Sequence, residues 1–213
     1  WRMADIIYDR QKDIHINLPE KVLVAGCGGT GFWSGLFLAM SGAKHMQLFD
    51  PDTIDATNLN RLPIPISTVG QPKVNVLKDI IVSIRPDTIV EVFQVALDPD
   101  MLTLLSPSLV VDCSDKFEFQ EALYQGCLKR NIRYMRAGYD GTHITVTKEV
   151  KDVWKVAEGE GYQTTPSWVV PAAISSALGI AKALFCPKFE FCGDIQDIRK
   201  KMRRKVKPNV PAP

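Results

Sequence analysis

Short apolar runs and longer segments of helical period alternate along the first two-thirds of the chain. Val22–Ala25, Met46–Phe49, Ile89–Gln94 and Leu109–Cys113 are the runs, continuous enough to predict strands buried on both faces. Between them Gly29–Ser41, Lys73–Arg85 and Phe117–Asn131 predict helices. The second of these stops before Pro86, because proline disfavours helical backbone at the residue preceding it. Alternation of this kind predicts parallel strands joined by crossover helices. Tyr134–Gly138 and His143–Thr147 predict two later strands joined at Asp140-Gly141, a turn-prone pair. The expected fold is α/β, a Rossmann-like open sheet, doubly wound and mostly parallel with antiparallel edge strands. The apolar tract from Trp168 to Phe185 is broken by Pro171, Ser175, Ser176, Gly179 and Lys182, which predicts a buried helix and no membrane span.

Two stretches lack any period. Asp52–Pro72 holds three prolines in a connection longer than a compact domain ordinarily carries without a functional reason. Lys148–Pro166 is polar, contains Gly159 and Gly161, and reads as a crossover or lid loop near a ligand.

A length of 213 residues suffices for one domain, residues 1–213, with its own core and no disulfide or metal staple. Net charge is +2, but Arg199, Lys200, Lys201, Arg203, Arg204, Lys205 and Lys207 crowd the end of the chain. Residues 194–213 therefore read as a basic tail, with Ile195, Ile198 and Met202 giving it an amphipathic helical face. The body that remains is mildly acidic, so no nucleic-acid groove is expected across it. Five cysteines form no C-x-x-C pair, which argues against zinc and for a reducing cytoplasm. Cys27 reads as a small turn residue, Cys113 and Cys127 as strand and helix residues, and Cys186 and Cys192 as buried thiols. Trp1-Arg2-Met3-Ala4-Asp5 carries charges where a signal peptide needs an apolar core. His15, His45 and His143 have no metal-ligand spacing, and Phe32, Trp33 and Phe37 read as core or subunit packing.

Candidate chemistry begins at Gly26-Cys27-Gly28-Gly29-Thr30-Gly31, directly after the first strand. Gly26, Gly28 and Gly31 satisfy the dinucleotide fingerprint, in which a phosphate lies against bare backbone at the positive end of a helix. Asp50 ends the second strand, where an acid binds ribose hydroxyls. These features alone suit a nicotinamide dehydrogenase as well as an ATP enzyme. Asn58-Leu59-Asn60-Arg61 and Gly70-Gln71-Pro72-Lys73 then add a guanidinium and an ammonium. Attack on the α-phosphorus of ATP builds charge on the bridging and departing oxygens, which fixed cations stabilise; hydride transfer has no such need. Asp115 ends Asp112-Cys113-Ser114-Asp115 after a strand, placed to hold magnesium through oxygen or to cap the following helix. No Tyr-x-x-x-Lys pair or suitably placed histidine supports proton movement in a dehydrogenase.

As a set, from Tyr8 to Thr147, these motifs resemble the ubiquitin-activating-enzyme superfamily in its small prokaryotic form, the ThiF, MoeB and HesA type. The resemblance implies a homodimer of adenylation domains, each binding ATP and magnesium and converting a carboxylate to an acyl adenylate with release of pyrophosphate. It assigns Gly26, Gly28, Gly29 and Gly31 to the phosphate loop, and Asp50 with Asp52 to the nucleotide. Asn58, Arg61 and Lys73 match the phosphate-binding trio, and Asp115 the magnesium-associated catalytic acid. Arg10 matches an arginine that reaches the neighbouring subunit's ATP. The chain departs from relatives that carry two zinc-binding C-x-x-C pairs, and Lys148–Pro166 contains no cysteine for an acyl relay. Family substrates include a ubiquitin-like sulfur carrier's C-terminal glycine, a tRNA nucleoside carboxylate, peptides and a pyridinol carboxylate. The departures lean towards a small-molecule or peptide carboxylate. The alternatives are an NAD(P)-dependent Rossmann oxidoreductase and a non-catalytic nucleotide-binding subunit.

Overall fold

A computed structural model describes residues 6–148 and 166–195. Its sheet has seven strands: β1 (Val22–Ala25), β2 (His45–Phe49), β3 (Ile89–Phe93), β4 (Leu109–Asp112), β5 (Arg133–Asp140), β6 (His143–Thr147) and β7 (Phe191–Asp194). They lie in the order β3-β2-β1-β4-β5-β6-β7. β1 to β5 are parallel, and β6 and β7 add antiparallel to that edge. The winding reverses between β1 and β4, so a crevice opens at the carboxyl ends of those two strands, where ligands of such sheets bind.

Helices cover both faces, which is why the central strands read as unbroken apolar runs. Val22 and Val24 of β1 join the core under α1 (Gly29–Ser41), α2 (Lys73–Ile84) and α4 (Val169–Leu184). Leu23 and Ala25 join the second core, under α3 (Phe117–Lys129) and a helical turn ending at Leu105. The Trp168 tract is indeed a buried helix, and the residues that break its hydropathy make its contacts. Ser176 Oγ donates to Thr30 O at 2.7 Å, Gly179 lies against Ala137 and Met135, and buried Lys182 donates to Pro187 O and Phe189 O. No described helix is long and apolar enough to cross a membrane.

The structure alters several boundaries. α2 stops at Ile84 and α3 at Lys129, with Asn131 in a left-handed conformation (φ 54°) past the end. β5 runs from Arg133 to Asp140, longer than Tyr134–Gly138, because β6 pairs with its outer half. Asp52–Pro72 is not without structure: Ala56–Asn60 and Ile66–Thr68 are 3₁₀ turns, and Thr53 bridges Pro72 to close the excursion at its base. β7 has no counterpart among the sequence expectations. Its residues, Phe-Cys-Gly-Asp, carry no alternation, and only the free edge of β6 makes them a strand. Positions 149–165 of the expected lid loop and 196–213 of the expected basic tail lie outside the described residues.

Candidate functional site

The glycine loop is held by backbone contacts that leave no room for side chains. Gly26 turns out of β1 at φ +86°, its N–H donating to Phe49 O at 2.8 Å, and a Cβ on it would sit 3.0 Å from Cys113 O. A Cβ on Gly31 would come within 1.7 Å of Gly26 O, so α1 can pack against its own loop only through glycine. Gly28 is the N-cap residue of α1 and offers no side-chain cap, and among the described residues a Cβ there would meet nothing within 4 Å. The first amides of α1, on buried Gly29, Thr30 and Gly31, stand at the positive end of the helix beside the space at Gly28, an arrangement that accepts an anion.

Asp50 anchors the neighbouring segment. Its Oδ2 accepts from Cys27 N at 2.6 Å and its Oδ1 from Asp52 N at 2.8 Å, which ties the glycine loop to the end of β2. Burial pushes the Asp50 carboxyl above its ordinary range, and Lys73 together with the two amides opposes that shift. Lys73 opens α2, and its Nζ lies 2.7 Å from Asp52 Oδ2 and 3.8 Å from Asp50 Oδ1. Asn58 is buried and bonded into a capping box with Asp55, whose carboxyl is held low by the Thr57 hydroxyl and N–H. Pro51, Asp52, Thr53, Asp55, Asn58 and Lys73 line an open cleft of about 500 Å³.

Arg61 reaches the loop from the other side. Its Nη1 donates to Thr57 O at 2.8 Å and Asn60 Oδ1 at 3.0 Å, and its own carbonyl accepts from Trp33 Nε1 at 2.9 Å. Its Cδ lies 3.2 Å from the position of a Cβ on Gly29. Asp50 therefore meets the glycine loop at Cys27 and Arg61 meets it at Gly29, while Asp52, Asn58 and Lys73 line the neighbouring cleft.

Asp115 follows β4 on a loop whose Cys113 and Ser114 backbone touches Gly26. It is exposed, and the N-cap of α3 is Lys116, so Asp115 does not take the capping role. No group of three or more His, Cys, Asp or Glu among the described residues is placed to hold a metal ion. Asp115 offers a single exposed carboxylate, the kind of donor a magnesium ion takes when phosphates and water complete its shell. Arg10 stands apart. Its neighbours Tyr8 and Gln11 donate to Ala39 O and Ser41 O at the far end of α1, roughly 20 Å along that helix from the glycine loop.

Two residues of the cluster escaped the sequence analysis. The Tyr139 hydroxyl lies 2.5 Å from the position of a Cβ on Gly29 and bonds to Ser167 Oγ, while Ser167 O accepts from Asn60 Nδ2 at 2.6 Å. No spacing links Tyr139 or Ser167 to a glycine loop more than 100 positions earlier; only the β5–β6 hairpin and the start of α4 bring them there. Among the cysteines, Cys27 and Cys127 are buried, burial raising the first thiol and pushing the second up to about 12. Cys192 is exposed instead of buried, because β7 is an edge strand, and its Sγ lies 3.5 Å from His143 Nε2; Cys186 is half-buried.

Comparison with known proteins agrees with this geometry. The chain is 37% identical over 115 residues to the molybdopterin-synthase adenylyltransferase of Salmonella typhimurium, covering 53% of this chain and 46% of that protein. It is 37% identical over 115 residues to the tRNA threonylcarbamoyladenosine dehydratase of Bacillus subtilis, covering 52% and 45%. The chain spans about half the length of the curated relatives it matches. The structure of E. coli MccB with ATP superposes with a TM-score of 0.67 at 22% identity, covering 77% of this chain and 54% of that one, a likeness of fold. Residues 2–170, which hold the glycine loop and the polar groups gathered around it, match the family model, and the chain belongs to the ThiF family.

Proposed function

We propose that this chain is an adenylyltransferase that binds ATP and activates a carboxylate. The observation that carries the reading is the gathering of Lys73, Arg61 and Asn58 beside a glycine loop at the positive end of α1. A carboxylate oxygen attacks the α-phosphorus, the bond to the departing pyrophosphate breaks, and an acyl adenylate forms. The N-terminal amides of α1 hold phosphate oxygens, Asp50 and Asp52 take the ribose side, and Asn58, Arg61 and Lys73 neutralise charge that grows on the departing oxygens. Magnesium, held by Asp115, would neutralise further phosphate charge. Family membership leaves the nicotinamide oxidoreductase alternative without support.

A homodimer is part of the proposal. Arg10 lies too far from its own glycine loop to serve it, so its role in catalysis requires a second copy of the chain. The carboxylate belongs to a small molecule, a peptide or the C-terminus of a ubiquitin-like protein, and the acyl group passes directly to an external nucleophile. All five cysteines are free thiols, which supports placing the reaction in a reducing cytoplasm. The residues 1–213 act as one adenylation domain.

The test is carboxylate-dependent exchange of labelled pyrophosphate into ATP. Wild-type protein is expected to catalyse it with a subset of a carboxylate panel, and Lys73→Ala and Asp115→Ala to lose it. Exchange that survives both substitutions would end the mechanism. ATP binding without any exchange would favour the non-catalytic subunit.

A further inference from the structure

The sheet face under α3 holds a charge that the nucleotide site does not use. Arg136 of β5 is 6% exposed, and its Nη1 is buried with no hydrogen-bond partner among the described residues. Asp112 stands beside it in register on β4 and the two charges attract, but the hydrogen bonds of that carboxylate go elsewhere. Ser114 N and Oγ occupy Asp112 Oδ1, and the Tyr134 hydroxyl occupies Oδ2 at 2.6 Å. Among the described residues no ion pair joins Arg136 to any carboxylate. The Asp112 charge eases the burial of that guanidinium, but an N–H left without an acceptor still forfeits its hydration.

The surroundings say what is missing. Met135 and Ala137 lie against Gly179 of α4, so alternation puts Arg136 and Gly138 together on the opposite face. Among the described residues a Cβ on Gly138 would meet nothing within 4 Å, so none of them fills the strand surface beyond Arg136 towards the carboxyl edge of the sheet. Thr145, paired with Gly138 on β6, is 1% exposed, and its Oγ1 has no partner among the described residues. Arg136 Nη1 and the Thr145 hydroxyl can both donate, and among the described residues neither meets an acceptor. Gln120 of α3 donates to Ser114 O at 2.5 Å and leaves its own Oε1 unpartnered, ready to accept an N–H. All of this lies level with the end of β4, three residues before Asp115.

We propose that Arg136, Thr145 and the open floor at Gly138 form a subsite for a second anionic group on the carboxylate substrate. The substrate is then a compact diacid, or a peptide with an acidic side chain beside its reacting carboxylate. The choice of which carboxylate reacts rests on the adenylation reading; the anion subsite itself is readable without it.

Calorimetry on the full chain without ATP tests this with two probe pairs, butyrate against glutarate and the tripeptides Gly-Gln-Gly against Gly-Glu-Gly. The acidic member of one pair is expected to bind about tenfold more tightly than its partner or better, and the pair that shows it separates small diacid from peptide. Arg136→Met is expected to bring the ratio close to one. Gly138→Leu, which keeps Arg136 and fills the floor, is expected to do the same and decides the matter if Arg136→Met fails to fold. Equal affinities within both pairs, or a preference that survives Gly138→Leu, overturns the subsite. An intact preference in a protein that exchanges pyrophosphate with no acid would support the subsite and count against adenylation.

Discussion

Lys73 Nζ lies 2.7 Å from Asp52 Oδ2 and 3.8 Å from Asp50 Oδ1, so the lysine expected at the nucleotide phosphates is held by two acids of the same segment. Its side chain is 12% exposed, which keeps the ammonium poised at the cleft and shielded from bulk water. A phosphate must compete with Asp52 for it. Lys73→Ala is expected to cost on the order of 3 kcal/mol in the transition state, about a hundredfold in pyrophosphate exchange. Asp52→Asn is expected to raise affinity for inorganic pyrophosphate while weakening that for adenosine, measured by calorimetry with each.

The glycines separate folding from binding. Gly31→Ala forces a Cβ into Gly26 O and is expected to cost more than about 3 kcal/mol or to prevent folding. Gly28→Ala meets open space, and its cost to stability is expected to stay below about 1 kcal/mol, with the loss falling on ATP affinity. Urea denaturation and nucleotide titration of the two variants measure both. Equal destabilisation by both would contradict the account of the loop.

Asp50 gives a pH dependence with a definite sign. Burial raises its carboxyl above the ordinary 3.8, so the folded protein takes up this proton at a higher pH than the unfolded chain does. Its charge therefore weighs against the fold above the raised value, and that penalty fades as pH falls towards 3.8. Measured against Asp50→Asn across this window, wild-type stability should improve on acidification. The improvement should be larger in a Lys73→Met background, because Lys73 opposes the shift.

Trp33 positions Arg61 through one bond, Nε1 to the Arg61 carbonyl at 2.9 Å. Trp33→Phe keeps a ring against the core and removes the donor. It is expected to cost about 1 kcal/mol, seen as a several-fold rise in the KM for ATP with little change in kcat. An unchanged KM would show that the 3₁₀ turn holds Arg61 without this bond.

Asp115 is exposed on the loop after β4, so Asp115→Ala should leave the thermal midpoint within about 2 °C of wild type. Exchange activity should fall at every magnesium concentration. Restoration by excess magnesium would reduce the role of Asp115 to metal affinity alone.

What the sequence determined is the local part of this protein. A four-residue apolar run, a glycine loop and a helical period suffice for β1, the turn and α1, because strand, turn and helix are adjacent and each obeys a rule of the backbone. The order Asp50, Asn58, Arg61, Lys73 became one cluster because all four lie on the single connection that follows β2, and β2 pairs with β1, which leads into the glycine loop. Tertiary structure decided the rest. Tyr139 and Ser167 arrive at Gly29 through a hairpin and a distant helix start, and no spacing along the chain encodes that contact. Four residues, Phe191–Asp194, became a strand only because the edge of β6 was there to pair with them. Arg136 reads in the sequence as one more charge within a strand; only the pairing of β5 between β4 and β6 buries it and leaves its Nη1 without a partner among the described residues.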